Sequence, residues 1–169
     1  REHRTEHPAL LAGLLFAPDG QRMIHHFTKK KNGRLYRYYV PYLHKRRNAG
    51  ATLQPGAADV GALPAAEIEA AVLEQIHLAL RSPEILVATW RSCQKHAAGA
   101  ELDGAHVVIA MQRIGAVWEQ LFPIEQQRIT QLLIERIQLH GQGLDILWRE
   151  AGWLGLGADI ASHPLVEAL

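Results

Sequence analysis

Residues 29–40 read KKKNGRLYRYYV: three lysines and two arginines around an Asn-Gly pair, with three tyrosines inside four positions. Ammonium and guanidinium groups make charge-assisted contacts with anions, and tyrosine hydroxyls add contacts to sugars and phosphates. The cationic window runs further. Lys29, Lys30, Lys31, Arg34, Arg37, Lys45, Arg46 and Arg47 place eight cations in nineteen residues that hold no Asp or Glu. Ordinary surfaces intersperse both signs, so this segregation points to a polyanion. A two-stranded ribbon can enter the major groove of double-stranded DNA. There Lys29, Lys30, Lys31, Lys45, Arg46 and Arg47 are expected on phosphates, Arg34 and Arg37 on base edges, and Tyr36 and Tyr38 on the sugar-phosphate backbone. Two other readings compete: a solvated hairpin with inward tyrosines, and single-stranded RNA stacked on Tyr36, Tyr38 and Tyr39.

The remaining chemistry-bearing residues form no motif. Ten histidines are many, but no HExxH or paired His-x3-His with a carboxylate occurs, and His25 and His26, adjacent in a strand, point to opposite faces. No metal ligand is assigned. Cys93 is the only cysteine, which excludes an internal disulfide and a Cys-based zinc site and fits a reducing cytoplasm. GxSxG, Walker and GxGxxG patterns are absent. Ser82 and Ser162 stand close before prolines and read as caps or turns, while Glu67 and Glu69 diverge on a helix. No self-contained catalytic site and no cofactor follow from these residues.

The elements that must position the cations come from periodicity. ALLAGLLF (9–16) reads as a buried strand stopped by the turn APDG at 17–20, and QRMIHHF as the returning strand. Asn32-Gly33, with its tolerance of positive φ, signals a two-residue hairpin loop before the strand LYRYYVPYL. On that strand Tyr36, Tyr38, Val40 and Tyr42 share one face, and Leu35, Arg37 and Tyr39 the other. The first fifty residues are thus expected to form a small antiparallel sheet.

Helices are expected after the Gly/Ala/Pro-rich loop at 44–63. Pro64 suits a first turn, and Ile68, Val72, Ile76 and Leu80 line one face. Ser82-Pro83-Glu84 starts a second helix bearing Leu86 and Trp90. After a break at 96–104, with Asp103 as a cap, Val107, Met111, Ile114, Trp118 and Leu121 form a third stripe, and Pro123 opens another helix carrying Ile129, Leu132, Leu133 and Arg136. Residues 136–149 read as a hairpin around Gly141-Gln142-Gly143, with Leu144, Ile146 and Trp148 inward. The fold class expected is α+β, organised as a linker (1–8), a basic β-ribbon (9–60) and a helical region closed by a hairpin (61–169).

Whole-chain numbers agree with such a plan. The chain has 169 residues and a net charge of +1, yet residues 1–48 carry eleven Lys and Arg against three Asp and Glu, and the remainder seven against fourteen. A basic module followed by an acidic body suits a polyanion-binding protein. No apolar run reaches the ~18 residues that span a bilayer, and no signal peptide opens the chain. Since it begins at Arg1 rather than Met, a longer parent protein is expected.

Four blocks occur together and in order: LLAGLLFAPDGQRM with GRLYRYYVPYL, PAAEIEAAVLEQIHLALRSPEILVATW, and GAVWEQLFPIEQQRITQLLIERIQLHGQGLDILWR. Over roughly residues 8–150 the sequence resembles the C-terminal part of the large serine recombinases, the resolvase/invertase-type enzymes of phages and mobile elements. The resemblance implies that Leu10 to Leu43 correspond to the family's DNA-binding zinc ribbon. Family members often carry cysteines at two knuckles, where this chain has Ala17-Pro18-Asp19-Gly20 and Val40-Pro41-Tyr42, so the ligands are missing. The coiled-coil insertion of many members is absent or short, with only 91–104 to hold it. The nucleophilic serine domain has no counterpart in these residues. What the resemblance implies is a non-catalytic portion of a site-specific DNA recombinase, gripping a recombination or integration site, with homo-oligomers formed through the full-length enzyme. The rival expectation is a helical interaction or oligomerisation module that assembles through Val107, Met111, Ile114 and Trp118 and binds no nucleic acid.

Overall fold

The computed structural model describes residues 9–43, 61–96, 104–149, 151–153 and 156. Lys45, Arg46, Arg47 and the expected cap Asp103 lie outside them. The architecture is α+β. Strands β1 (Leu15–Phe16), β2 (Met23–Lys29), β3 (Leu35–Pro41) and β4 (Leu63–Pro64) precede helices α1 (Ala65–Leu80), α2 (Pro83–His96) and α3 (Gly104–Val117). A 3-10 turn (Trp118–Gln120), α4 (Pro123–Leu133), β5 (Ile134–His140) and β6 (Gly143–Trp148) follow. Contacts divide the described residues into two units. One holds those up to Val72 together with Ile134–Trp148, the other Leu73–Leu133 and those from Arg149 onward.

The first unit is built from two three-stranded sheets, ordered β1-β5-β6 and β2-β3-β4. The expected long first strand is mostly turn: Ala12 N–H donates to Ala9 O at 3.1 Å and Leu14 N–H to Leu11 O at 3.1 Å, with Gly13 at φ +78°. Only Leu15 and Phe16 extend; they pair in parallel with Ile137 and Gln138, and of the expected pairing with the returning strand a single antiparallel bridge, Phe16–Arg22, is formed. The reason lies in burial. Turning at Gly13 lets Leu11, Leu14 and Leu15 all reach the core, which a straight strand, with its alternating faces, would forbid. The partner strand is adapted as well. A bulge between Ile134 and Arg136 resets the alternation, so that Ile134, Ile137 and Leu139 are all buried. Opposite them Leu144, Ile146 and Trp148 fall on one half-buried face, as the sequence alternation predicts. Gln138 ties the strand back by donating from Nε2 to Ala17 O at 2.6 Å, and the Arg136 guanidinium stacks over Phe16 at 3.7 Å.

The third strand of the hairpin sheet is β4, through the pairs Tyr38–Pro64 and Tyr39–Leu63. It runs directly into α1, so the helix starts beside β3. The turn at 17–20 is closed by Gly20 N–H to Ala17 O at 2.8 Å and by Asp19 accepting the Gln21 N–H at 3.0 Å. With Asp19 the one ligand-type side chain among residues 17–20 and 40–42, these two positions do not fit a zinc ion.

In the second unit Ile76, Ala79, Leu80, Leu86, Met111, Trp118 and Leu133 are buried. His77 meets Trp118 edge-on, with ring centroids 5.9 Å apart. Ser82 opens α2 through its carbonyl, which accepts the Leu86 N–H at 2.9 Å, while its hydroxyl donates to Glu84 at 2.7 Å. The helix begun at Pro123 stops at Leu133, so Arg136 belongs to a strand and not to the helical stripe expected for it. Gly152 lies against the end of α4: a Cβ there would sit 1.7 Å from Leu132 O.

Candidate nucleic-acid interface

The basic segment forms the hairpin β2–β3, paired without interruption from Met23–Pro41 to Lys29–Leu35. Its loop is longer than the Asn-Gly pair suggests. Lys30 N–H donates to Arg34 O at 3.0 Å, and Gly33 N–H to Lys30 O at 2.9 Å, which leaves Lys31, Asn32 and Gly33 as a three-residue loop. Gly33 alone takes positive φ, +79°, while Asn32 uses its side chain, whose Oδ1 accepts the Arg34 N–H at 3.0 Å. A two-residue loop of this class would need both central residues at positive φ; a single left-handed glycine selects the three-residue form.

Alternation sorts the side chains onto two faces. From base to tip one face carries the pairs Met23–Pro41, His25–Tyr39, Phe27–Arg37 and Lys29–Leu35; the other carries Ile24–Val40, His26–Tyr38 and Thr28–Tyr36. Burial falls along the hairpin's length. Met23, Tyr39, Val40 and Pro41 are buried at the base, whereas Lys29, Lys30, Lys31, Arg34 and Leu35 are exposed at the tip. The hairpin is rooted at one end and free at the other.

The cations do not all share one side. Lys29 belongs to the face of Arg37, Lys30 leans over the Tyr36 ring on the other with its Nζ 4.7 Å from the centroid, and Lys31 and Arg34 border the turn. Four of them, Lys29, Lys30, Lys31 and Arg34, meet no carboxylate among the described residues. Around a protruding tip, cations on both sides can face the two walls of a groove at once.

Arg37 is different. Its guanidinium forks onto Glu69 of α1, Nη2 to Oε2 at 3.2 Å and Nη1 to Oε1 at 3.4 Å, and both side chains are largely shielded. Tyr39 completes the cluster, its hydroxyl donating to Glu69 Oε1 at 2.8 Å and accepting the Leu11 N–H at 3.0 Å. Burial, with the Glu69 charge beside it, holds the Tyr39 hydroxyl protonated far above the ordinary phenol range. His25 packs on Tyr39, ring centroids 5.6 Å apart, and its buried Nε2 has no hydrogen-bond partner. Burial and then the Arg37 charge lower its pKa. Glu69 thus holds Arg37 and Tyr39 and fastens the hairpin to α1, so the guanidinium expected on base edges is engaged by a carboxylate in this structure. Nothing in the spacing of Glu67 and Glu69 marks the second: its partner Arg37 lies 32 residues earlier, at a distance no helical spacing reports.

Two other expectations meet the same geometry. Tyr39 is fully buried and cannot stack on a base, and Tyr36 already has an ammonium over its ring. Of the stripe assigned to a helical partner, Met111 and Trp118 are buried and Ile114 is half-buried, so those two side chains are not free to meet a second protein. Among the described residues no three His, Cys, Asp or Glu side chains gather as metal ligands. No described helix is long and apolar enough to cross a membrane.

No family model matches this chain, and no curated protein matches it. Solved structures do. One, described as "Sequence Requirements of the Listeria innocua prophage attP site", aligns at TM-score 0.48 and 16% identity over 87% of this chain and 45% of its own. A second, "Crystal Structure of a LSR-DNA Complex", aligns at TM-score 0.47 and 17% identity over 88% of this chain and 58% of its own. The chain therefore spans about half the length of the solved chains it matches.

Proposed function

We propose that this chain is a double-stranded-DNA-binding portion of a serine site-specific recombinase, gripping the recombination site while a domain outside these 169 residues exchanges strands. One observation carries the binding claim. Lys29, Lys30, Lys31 and Arg34 stand exposed around the free end of a rooted hairpin, and no carboxylate among the described residues neutralises them. A two-stranded ribbon fits the major groove, where its cations reach phosphates on either wall. Lys29, Lys30 and Lys31 serve as phosphate contacts, Tyr36 and Tyr38 as backbone contacts, and Arg34 as the guanine-edge reader. Lys45, Arg46 and Arg47 extend the same charge. Assignment to a recombinase rests on the four sequence blocks, and any homo-oligomer would form through the longer protein.

Titration of duplex DNA by fluorescence anisotropy across salt tests the reading. If about six phosphates are neutralised, raising salt from 50 to 200 mM weakens binding about a thousandfold. Replacing Lys29, Lys30 and Lys31 together with Ala lowers the slope of log affinity on log salt by about three. Salt-independent affinity, or a triple variant that binds like the wild type, would overturn it.

A further inference from the structure

Two apolar side chains near the hairpin tip are largely exposed: Phe27 at 61%, with one edge against the His25 ring at 6.3 Å between centroids, and Leu35 at 44%. Single exposed apolar residues are ordinary on protein surfaces. These two are not independent, however. Phe27 lies opposite Arg37 and Leu35 opposite Lys29, which makes Phe27 and Leu35 diagonal neighbours on one face, closed above by Lys29 and below by the Arg37–Glu69 pair. The opposite face at the same level carries Thr28 and Tyr36, both with hydroxyls. An apolar patch bordered by the unpaired Lys29, next to the exposed cations of the tip, does not suit a membrane interior or a basic partner. It suits an apolar group set within a polyanion.

Double-stranded DNA offers such a group in the major groove, the 5-methyl of thymine, which apolar side chains contact directly. We infer that Phe27 and Leu35 are specificity-determining residues that read thymine methyl groups, with this face of the hairpin turned to the groove floor. Meanwhile Lys29, Lys30 and Lys31 hold the phosphate walls. The inference rests on the DNA-binding reading above.

The test compares the full chain on two alternating A·T duplexes, one with thymidine and one with deoxyuridine, which keeps the charge and every hydrogen-bonding group and removes only the methyl. Affinity is expected to fall about fourfold for each methyl buried. A second comparison, a G·C duplex against the same duplex carrying 5-methylcytosine, restores the methyl at the equivalent groove position and is expected to raise affinity by a similar factor. F27A and L35A lie at exposed positions and should fold; each is expected to lose the methyl preference while keeping the salt slope. Equal binding of thymidine and deoxyuridine duplexes, with normal salt dependence, would overturn the inference and leave the DNA reading intact. So would a preference that survives in both variants. Absence of salt-dependent duplex binding would instead remove the DNA reading, and this inference with it.

Discussion

Arg37 and Lys30 sit seven residues apart on one hairpin and carry the same charge, yet their surroundings assign them opposite tasks. Arg37 shares the Glu69 carboxylate with the Tyr39 hydroxyl in a partly buried cluster, whereas Lys30 faces solvent over a tyrosine ring. Removing one member of a shielded, charge-assisted set leaves its partners desolvated, at a cost of about 1–3 kcal/mol. R37A is therefore expected to lower the free energy of unfolding by an amount in that range, read as a clear fall in the urea midpoint, and K30A to leave the midpoint within error. DNA affinity should respond in the reverse order once R37A is measured well below its melting temperature. His25 beside them supplies a pH signature. Its pKa is lowered by burial and by Arg37, with Glu69 opposing, so the unfolded chain takes up the proton first. Stability is unaffected above about pH 6.5 and falls as the pH drops below it, because only the unfolded state gains a charged imidazole there. The difference in melting temperature between wild type and H25Q should thus narrow or reverse on acidification from pH 7.5 to 5.5, and a pH-independent difference would show that His25 is not held neutral.

At the scale of elements, the loop of the hairpin turns on Gly33. Its φ of +79° is one an L side chain adopts only at about 1–2 kcal/mol, and no atom lies within 4 Å of an added Cβ, so G33A carries a backbone penalty and no clash. G33A should destabilise by about 1 kcal/mol and G33N by less, since Asn tolerates this region; equal melting curves for the two would contradict the loop assignment. That a hairpin stands here was legible from Asn32-Gly33 between two alternating runs. Its loop length was not, because it depends on whether Asn32 itself goes left-handed or turns its amide onto Arg34. The helices were legible for a simple reason: Val72, Ile76 and Leu80 recur at helical spacing and all are buried. β1 was misjudged because ALLAGLLF is apolar throughout. Continuous apolarity says that a segment is buried and nothing about its course, and the two residues that do extend are chosen by a partner more than 120 residues away. Glu69 escaped notice for a related reason, since ion pairs across elements leave no periodic trace.

The whole chain divides its charge by sequence but not its contacts. Residues 1–48 are strongly basic, which isolates a candidate binding segment from composition alone. The unit holding that segment is nevertheless discontinuous. β5, encoded after the helices and itself paired with β6, returns to pair with β1, and Leu15 and Ile137 are buried as register partners. Removing β5 and β6 would leave the edge of β1 unpaired, together with apolar side chains at Leu11, Leu14 and Leu15 that lose their cover. A fragment ending at Val72 keeps every cation of the basic segment, so a purely electrostatic peptide would bind DNA as the full chain does. The geometry predicts otherwise. The hairpin holds its cations around one tip only while its base is anchored through Tyr39 to Leu11 and Glu69, and Leu11 in turn belongs to the core that β5 completes. The fragment is expected to show no cooperative thermal transition by circular dichroism, and to keep the salt dependence of the full chain while losing discrimination between thymidine and deoxyuridine duplexes. A cooperatively folding fragment that retains that discrimination would mean the binding module is complete without its returning strands.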